Sequence, residues 1–449
     1  MAELLDRVHK TGAIMKFPGS RKTKHYFPVS ESPRIPLDSS LIDVQKSYIV
    51  GLDQLLVDIE VHVSDEFLTE HKIQKGESQV FEDSFVDDLY QELKEQGRIV
   101  GEFAGGSIGN TLHNYSVLSD GPSIALGTIS QNIKVGDYAF KYICTTSSKV
   151  DFSFLKPCSG PMGRAFCFVT PDGERSFILS KGIMNDLTED FIPEDVIKNS
   201  SALVLSTFLL RDETSPMYFS ACKAVKLANK YNVPVILSLG TSSLISDKKS
   251  FFNNFIKEHI NILAGNLDEY NSLFGGRVSE DPLALGAEAL EVTDMCLVTV
   301  GASGLYLCGY VDEENARKTK DQIHSKSIPE YNKYEYSRAM LRKDCSKPQK
   351  IFTHINPYMG GPQVIKNTNG AGDAAMSAML HDIAANNYHR KMVPSSPKHN
   401  ANYLTYSSIH QVSKYCNRVS FEVLSQSSPR LSKGLPQKED SLEESYWER

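Results

Sequence analysis

A carboxylate follows two glycines in the segment Asn367–Asp373, whose sequence is Asn-Thr-Asn-Gly-Ala-Gly-Asp and which precedes a run of helix-favouring residues. Glycines let the backbone turn tightly, so successive N–H groups converge on one space, and the dipole of the following helix makes that space attract an anion. We therefore predict that Asp373 is a general base that deprotonates a substrate hydroxyl. The amides of Gly370, Ala371 and Gly372 would then hold the charge of a transferring phosphoryl group. The alternative is a glycine-rich turn in which Asp373 only caps the helix.

Two further aspartates, Asp53 and Asp58, interrupt an apolar stretch that starts near Tyr48 and alternates over 55–63 like a half-buried strand. Buried carboxylates need hydrogen-bonding partners, and the hydroxyl groups of a sugar are suitable donors. Both aspartates are therefore candidates for sugar binding. The alternative for each is a structural role at a strand end or in a turn.

A glycine-rich segment from Gly101 to Asn110 precedes a helical pattern over 111–118. The paired glycines Gly105 and Gly106 allow a ligand to approach the backbone closely, and the Asn110 amide can both donate and accept hydrogen bonds. These three residues are therefore candidate substrate ligands. The segment lacks a full G-x-G-x-x-G pattern, and no clear βαβ unit with a downstream acid follows it, which argues against a dinucleotide site.

Two other polar segments follow strand-like runs. Asn266 and Glu269 have the spacing of a helix-capping signature, and the alternative is a pair that organises a hydrated Mg²⁺ near phosphates. The second segment, with Thr299 at the strand end and Gly301 and Gly304 behind it, can bring backbone close to a nucleotide. Both segments are candidates for the nucleotide side of a site.

The elements that must position these residues become regular after residue 201, where apolar runs alternate with helical stretches. One helix is predicted to start at Ser215-Pro216, an N-cap followed by proline, and another covers 403–424. Near-continuous apolar strands between helices predict a parallel sheet covered on both faces, which binds ligands at the carboxyl ends of its strands. The predicted strands are 202–206, 233–239, 260–263 and 296–300.

A smaller sheet is predicted to stand off this body. Strands at 164–170 and 175–179 flank a Pro-Asp-Gly turn and predict a hairpin. Together with 55–63 and with strand-like residues at 140–144, they would form the small sheet. Residues 65–97 are predicted to be helical, with an apolar packing stripe made of Phe81, Phe85, Leu89 and Leu93.

The remaining segments are polar. Residues 1–45 form a basic arm, 46–426 the predicted α/β domain, and 311–350 a surface insertion with little periodicity. The last residues, 427–449, mix Pro, Ser, Lys and Glu and are predicted to be disordered, with the single tryptophan, Trp447, among them.

Composition excludes several classes of protein. With 449 residues, 41% of them hydrophobic, the chain can bury a large core, and its net charge of −7 argues against a general nucleic-acid binder. Eight cysteines form no C-x-x-C pair, so neither a zinc nor a thioredoxin-type site is indicated, and a reducing compartment is favoured. The start lacks the apolar core of a signal peptide, and no apolar run approaches the roughly 20 residues that span a bilayer. We therefore predict a soluble, cytoplasmic protein with no membrane partner.

Taken together, these stretches resemble the ribokinase-like (PfkB) family of carbohydrate and nucleoside kinases over roughly residues 47–425. The family's second signature is carried by 367–373 and its first by 104–110. The resemblance implies a doubly wound, mostly parallel α/β sheet with helices on both faces. It also implies a small β-sheet lid, drawn from parts of 55–103 and 133–180. Further segments in the family's order are Asn266-x-x-Glu269, Gly301-x-x-Gly304 and 163–175.

The resemblance implies transfer of the γ-phosphoryl group of ATP to a ribose 5′-hydroxyl, with Mg²⁺ as cofactor. Asp373 would be the base, beside an anion hole made by the amides of Gly370, Ala371 and Gly372. Ribose hydroxyls would be held by Asp58, Asp53, Gly105, Gly106 and Asn110. Glu269 and Asn266 would organise Mg²⁺ and phosphate through water, and the ATP base and ribose would lie near Thr299, Gly301, Gly304 and Asn417.

Within the family, segments 15–22 and 415–420 and the long insertions are most similar to members that act on inosine and guanosine, so these nucleosides are the expected acceptors. An adenosine or sugar kinase, and a non-catalytic nucleotide-binding regulator on the same fold, are the alternatives. The resemblance adds K⁺ as a further expected effector, with ligands that the sequence does not place, and is compatible with a homodimer. The chain departs from the family at Asn369, where threonine is common, and the spacing of Asp53 and Asp58 leaves open which of them contacts ribose.

Overall fold

The computed structural model describes residues 47–435 apart from Glu77, Asp120, Gly173, 276–279 and Lys433. The predicted basic arm and residues 436–449 of the predicted tail, including Trp447, lie outside the described residues. The strands are β1 Ile49–Leu52, β2 Leu56–His62, β3 Ser78–Val80, β4 Ile99–Ala104, β5 Ser123–Ser130, β6 Val150–Asp151, β7 Leu155–Cys158, β8 Gly163–Val169, β9 Arg175–Ser180, β10 Leu203–Ser206, β11 Val235–Ser238, β12 Ile262–Asn266, β13 Met295–Thr299, β14 Leu305–Asp312, β15 Arg338–Met340, β16 Pro348–Ile355 and β17 Tyr403–Ser408. The α-helices are α1 Asp65–Glu70, α2 Asp83–Glu95, α3 Ser107–Ser119, α4 Tyr138–Cys144, α5 Glu194–Lys198, α6 Pro216–Lys230, α7 Ser242–Asp247, α8 Lys249–His259, α9 Leu267–Phe274, α10 Pro282–Ala289, α11 Ala371–Met392 and α12 Ile409–Leu424.

The described strands form a 12-stranded main sheet in the order β17-β15-β14-β13-β12-β11-β10-β1-β5-β6, with β16 beside β14 and β7 beside β5. Neighbouring strands are parallel from β6 to β13, and the pairs that β14 to β17 make are antiparallel. One apolar core packs α3, α11 and α12 on one face, and a second packs α6, α8, α9 and α10 on the other. The predicted parallel sheet with helices on both faces is therefore confirmed, and its carboxyl edge carries the segments that follow β1, β10, β11, β12 and β13.

Five further strands form the small sheet, in the order β3-β9-β8-β2-β4. The predicted hairpin is the antiparallel pair β8–β9. Alternate residues of β2, namely Val57, Ile59 and Val61, pack against α1 and α2 in a separate core. The predicted stripe on α2 is present, but the 65–97 segment is interrupted by β3, and Phe81 precedes the helix.

Several expectations from the sequence are wrong at this level. Residues 140–144, predicted to be strand, lie in α4, because Asp137 caps its start by accepting from Phe140 N and because the buried residues Ala139 and Tyr142 have helical spacing. The helix expected over 403–424 begins at Ile409, and the β-favouring residues before it form β17, which pairs with β15.

The boundaries of two segments also change. The ends of the predicted insertion at 311–350 belong to β14 and β16, and β15 lies inside it. The chain after α12 is held against α3, where Leu431 N donates to Asn114 Oδ1 at 2.8 Å and His113 Nε2 donates to Leu431 O at 2.8 Å. The predicted disordered tail therefore does not begin at 427.

All eight cysteines lie in the described part of the chain as free thiols. None of the described helices is both long enough and apolar enough to cross a lipid bilayer.

Candidate active site

The carboxyl end of β1 and one face of the small sheet enclose a cavity of about 280 Å³. Leu56, Asp58 and Glu60 line it from alternate positions of β2, while the residues between them face the core with α1 and α2. Gly370 and Asp373 line it from the main body. The volume is close to the lower end of the range for small-molecule sites, so the cavity can hold a compact ligand.

Asp373 occupies the first turn of α11 at the base of this cavity. Its Oδ1 accepts from Ser107 Oγ at 2.5 Å and its Oδ2 accepts from Asn110 Nδ2 at 3.2 Å. Burial raises the pKa of Asp373 to about 6, against the lowering effect of the hydrogen bonds from Ser107 and Asn110 and of the Arg430 charge. The carboxyl group is therefore ionised at neutral pH and still a better base than an exposed aspartate.

The turn that starts α11 depends on Gly370. Its φ of +78° is a left-handed conformation that favours glycine, and a Cβ there would overlap the Pro429 carbonyl oxygen. Gly372 differs, since a Cβ on it would meet no heavy atom within 4 Å. The first N–H groups of a helix have no acceptor within the helix. The amides of Gly370, Ala371 and Gly372 thus open α11 beside open space, as an anion site requires.

Asp53 and Asp58 lie in the same cavity as Asp373. Asp53 Oδ2 accepts from Gly109 N at 2.7 Å, and burial raises the pKa of Asp53 to about 7, with the Asp373 charge adding to the rise. Burial likewise raises the pKa of Asp58 to about 7, opposed by Arg430 and reinforced by Asp373. Donors that favour the ionised forms, such as sugar hydroxyls, would therefore bind both carboxyl groups well.

The paired glycines make room for these two carboxyl groups. A Cβ on Gly105 would overlap the Asp58 carboxyl, and a Cβ on Gly106, whose φ is +86°, would overlap Asp53 Oδ2. The sequence predicted that these glycines let a ligand approach the backbone. In the structure, the groups that approach the backbone are the two aspartates.

Arg430, from the chain after α12, is the cation that the sequence did not predict for this region. Its side chain is buried, and Nε donates to Asn110 Oδ1 at 2.8 Å while one terminal nitrogen donates to Thr146 Oγ1 at 2.6 Å. The other donates to Tyr142 Oη at 3.0 Å and to Gly105 O at 3.3 Å. Arg430 therefore fixes the Asn110 amide, which then presents its Nδ2 to Asp373. Nothing local marks Arg430 in the sequence, because it lies in a Ser- and Pro-rich segment.

The residues predicted for the nucleotide side lie at the same edge of the main sheet but outside this cavity. Asn266 and Glu269 form a capping box, with Asn266 N donating to Glu269 Oε2 and Glu269 N donating to Asn266 Oδ1, both at 2.9 Å. Burial raises the pKa of Glu269 to about 7, and the Asp373 charge contributes, so the two carboxyl groups interact. The capping alternative is thus present, and the charge of Asp373 acts on this buried acid.

Thr299, Gly301 and Gly304 follow β13. Thr299 Oγ1 donates to Gly265 O at 3.4 Å, and a Cβ on Gly304 would overlap the Ile355 carbonyl oxygen, which gives that glycine a packing role. Gly301 has a φ of +45°, and a Cβ on it would meet no heavy atom within 4 Å, so its backbone is accessible. Asn417 is buried on α12 and donates to the Asn356 carbonyl.

The segment after β10 also contributes to the cavity, through Phe208 and Arg211. A 3-10 turn over Thr207–Leu210 carries Phe208 there, and the next strand along the sheet, β11, leads to Thr241 on the same wall. These residues are not among those predicted from the sequence, although the signal exists: they follow the carboxyl ends of predicted parallel strands.

Comparison with known proteins places the chain in a family. The family described as pfkB family carbohydrate kinase matches residues 78–326. A guanosine-inosine kinase of Escherichia coli strain K12 is 50% identical over 437 residues, which are 97% of this chain and 100% of that protein. The chain belongs to the pfkB family of carbohydrate kinases.

Two solved structures have a fold similar to that of this chain. A probable sugar kinase from Rhizobium etli CFN 42 has a TM-score of 0.63 at 17% identity, covering 90% of this chain and 98% of that one. Adenosine kinase from Sinorhizobium meliloti has a TM-score of 0.61 at 19% identity, covering 86% of this chain and 97% of that one. The fold class expected from the pfkB resemblance is therefore confirmed.

Proposed function

We propose that this pfkB family kinase transfers the γ-phosphoryl group of ATP to the 5′-hydroxyl of inosine or guanosine, giving IMP or GMP and ADP, as a purine salvage enzyme does. The observation that carries the proposal is the position of Asp373, beside the amides that open α11 and in one cavity with Asp53 and Asp58. The 50% identity to a guanosine-inosine kinase over nearly the whole chain supports these two acceptors.

The ribose end of the nucleoside binds at Asp53 and Asp58, which accept hydrogen bonds from ribose hydroxyls. Burial raises the pKa of both aspartates, because their ionised forms have too few partners to replace the lost water. Ribose hydroxyls would supply the missing hydrogen-bond donors. Gly105 and Gly106 serve by leaving room for the carboxyl groups. Asn110 holds Asp373 in place and offers its amide to the substrate.

In the chemical step, Asp373 takes the proton of the 5′-hydroxyl while that oxygen bonds to the γ-phosphorus of ATP. The bond from this phosphorus to the bridging β–γ oxygen breaks, and its electron pair leaves with ADP. The amides of Gly370, Ala371 and Gly372 and the dipole of the 22-residue helix α11 stabilise the charge on the transferring group. With its pKa at about 6, Asp373 is ionised before the step and can hold the proton after it.

Kinases use Mg²⁺ bound to ATP phosphates, and Glu269 suits it. In the described part of the chain, no group of three or more His, Cys, Asp and Glu is arranged to hold a metal by itself. Mg²⁺ in kinases keeps several waters and uses few protein carboxylates. Glu269 is a buried acid whose pKa is raised further by Asp373, so a cation before it relieves both charges. We propose that Glu269 and Asn266 would hold hydrated Mg²⁺ through its waters, and that the ion would neutralise charge on the ATP phosphates.

The ATP base and ribose would lie along the carboxyl edge beyond Glu269, near Thr299, Gly301, Gly304 and Asn417. The accessible backbone at Gly301 supports this placement. The small sheet, with Asp58 on its inner face, serves as the lid that closes over the nucleoside and excludes water.

The remaining expectations are proposals with direct measurements. We propose a cytoplasmic location, which cell fractionation tests, and a homodimer, which light scattering tests. Activation by K⁺ is tested by replacing it with Na⁺ in the assay.

The function is tested with ATP, Mg²⁺ and a panel of inosine, guanosine, adenosine and ribose, following ADP and the phosphorylated product. We expect fast formation of IMP and GMP. A preference for adenosine or ribose would instead indicate another kinase of the same family. No ADP with any acceptor would indicate a non-catalytic nucleotide-binding regulator.

A further inference from the structure

Arg211 lies where the chain leaves the Thr207–Leu210 turn, and it lines the same cavity as Asp53, Asp58 and Asp373. Its guanidinium carbon stands 5.3 Å from the centre of the Phe208 ring. Phe208 packs closely against Gly240, where a Cβ would lie 3.0 Å from the ring. The guanidinium of Arg211 is therefore placed over a packed aromatic ring.

The guanidinium of Arg211 has donors to spare. Among the residues that the structure describes, no hydrogen-bond acceptor or carboxylate pairs with it, and burial alone lowers its pKa. Two fully buried arginines differ: Arg164 pairs with Asp87 and Ser180, and Arg430 donates to several oxygens. A partly buried cation without a partner is unfavourable, so the donors of Arg211 suit a ligand that brings acceptors.

The cavity around Arg211 suits a flat ring. Phe103, Phe177 and Phe208 line it, and aromatic faces stack on planar groups. If the ribose is held at Asp53 and Asp58 with its 5′-hydroxyl at Asp373, the base must fill the rest of the cavity, whose lining includes Phe177, Phe208 and Arg211. The edge of the base can then meet the guanidinium.

Resting on the proposed function, we infer that Arg211 selects 6-oxopurine nucleosides by donating to O6 and N7 of the base. Arginine carries donors only, in a planar fork, and guanine presents O6 and N7 as a matching pair of acceptors. Hypoxanthine presents the same pair. Adenine replaces O6 by an amino group, which is a donor and opposes the guanidinium. Arg211 is thus a specificity residue that favours guanosine and inosine over adenosine.

The test is equilibrium binding of guanosine, inosine and adenosine to the whole protein, measured by calorimetry without ATP. Arg211→Met keeps an unbranched apolar side chain, shorter than that of arginine, and removes the donors. It should weaken guanosine and inosine about 5- to 150-fold, as expected when a bidentate contact to a base is lost, while adenosine changes little. Arg211→Gln should bind adenosine better than Arg211→Met does, because glutamine can pair with N6 and N7 of adenine.

The matched control is Arg98→Met. Arg98 also stands over a phenylalanine, 5.2 Å from the Phe67 ring centre, but on the side of the small sheet that faces α1 and α2. It should bind all three nucleosides as the wild type does. A second probe, 7-deazaguanosine, lacks the N7 acceptor and should bind more weakly than guanosine to the wild type but equally well to Arg211→Met.

Equal weakening of all three nucleosides in Arg211→Met, or no weakening, would overturn the inference. If replacing guanosine by 7-deazaguanosine weakens binding equally in the wild type and in Arg211→Met, the proposed contact between Arg211 and N7 is refuted. Turnover with ATP is measured in parallel. Selective binding without turnover would refute the proposed kinase function and leave base selection by Arg211 supported, whereas a wild type that binds no nucleoside would refute both.

Discussion

A substitution at Asp53 should stabilise the ligand-free protein at alkaline pH. Asp53 is 3% exposed and its pKa is raised from 3.8 to about 7, mainly by burial. A carboxyl group whose pKa is higher in the folded than in the unfolded protein contributes stability at pH values below its unfolded-state pKa, and that stability is lost as the pH rises through its folded-state pKa. For Asp53, the loss takes place between pH 3.8, the ordinary pKa, and about pH 7, the folded-state pKa. At about 1.4 kcal/mol for each pH unit, ionised Asp53 lowers the free energy of unfolding by at most about 4 kcal/mol above pH 7.

Asp53→Asn removes that charge and retains the shape. Its amide oxygen can still accept from Gly109 N, while the backbone N–H of Gln54, which also bonds to Asp53, loses its acceptor at a cost of about 1–2 kcal/mol. We therefore expect a net gain of about 2–3 kcal/mol at pH 8 and about none at pH 5.

Urea unfolding of the ligand-free protein at both pH values measures this difference. Asp172→Asn is the control, since Asp172 is exposed and its hydrogen bond with Lys75 lowers its pKa; it should give no gain at pH 8. Two results would refute the claim that the folded state disfavours the ionised form of Asp53. One is an Asp53→Asn gain in the free energy of unfolding that is the same at pH 5 and pH 8, and the other is a loss at pH 8.

Three further predictions concern the surroundings of the site. Arg430→Gln should shift the acid limb of the nucleoside kcat/KM profile to higher pH, because the arginine lowers the pKa of Asp373. Arg338→Gln, which loses a comparable set of hydrogen bonds remote from the cavity, should not shift it. Equal shifts in the two variants would contradict the effect of Arg430 on Asp373. Gly370→Ala should lower the free energy of unfolding by about 1–3 kcal/mol, seen as a lower Tm, because of its φ and the overlap with a carbonyl. Gly372→Ala, whose Cβ meets no atom, should not lower Tm. Glu269→Gln should raise the Mg²⁺ concentration needed for half-maximal rate about 10-fold or more, and an unaltered Mg²⁺ titration would remove Glu269 from the metal site.

Much of the main sheet could be predicted because its signals are local. The runs that form β10 to β13 are short, apolar and separated by helices, and Ser215-Pro216 marks a helix start by its own chemistry. The second signature was predictable for the same reason: Gly370 and Asp373 are neighbours in sequence as well as in space. Local chemistry therefore located the segment at which we propose catalysis.

The rest of the site depends on contacts between distant segments. Arg430 reaches Asn110 across 320 residues of sequence, and its polar surroundings resemble a disordered tail. Arg211 and Phe208 follow a recognised strand, but only the three-dimensional arrangement shows that they line the same cavity as Asp58. The capping box at Asn266 and Glu269 shows that a local pattern can be recognised while its role stays ambiguous. The same pattern serves a helix start and a proposed metal site.

The central claim is that Asp373 activates the 5′-hydroxyl, and Asp373→Asn tests it most directly. Steady-state kinetics with guanosine and ATP, together with guanosine binding by calorimetry, separate chemistry from affinity. We predict a kcat lowered about 10³-fold or more, with the Kd for guanosine changed by less than about 5-fold. A variant that turns over within about tenfold of the wild type would contradict the claim.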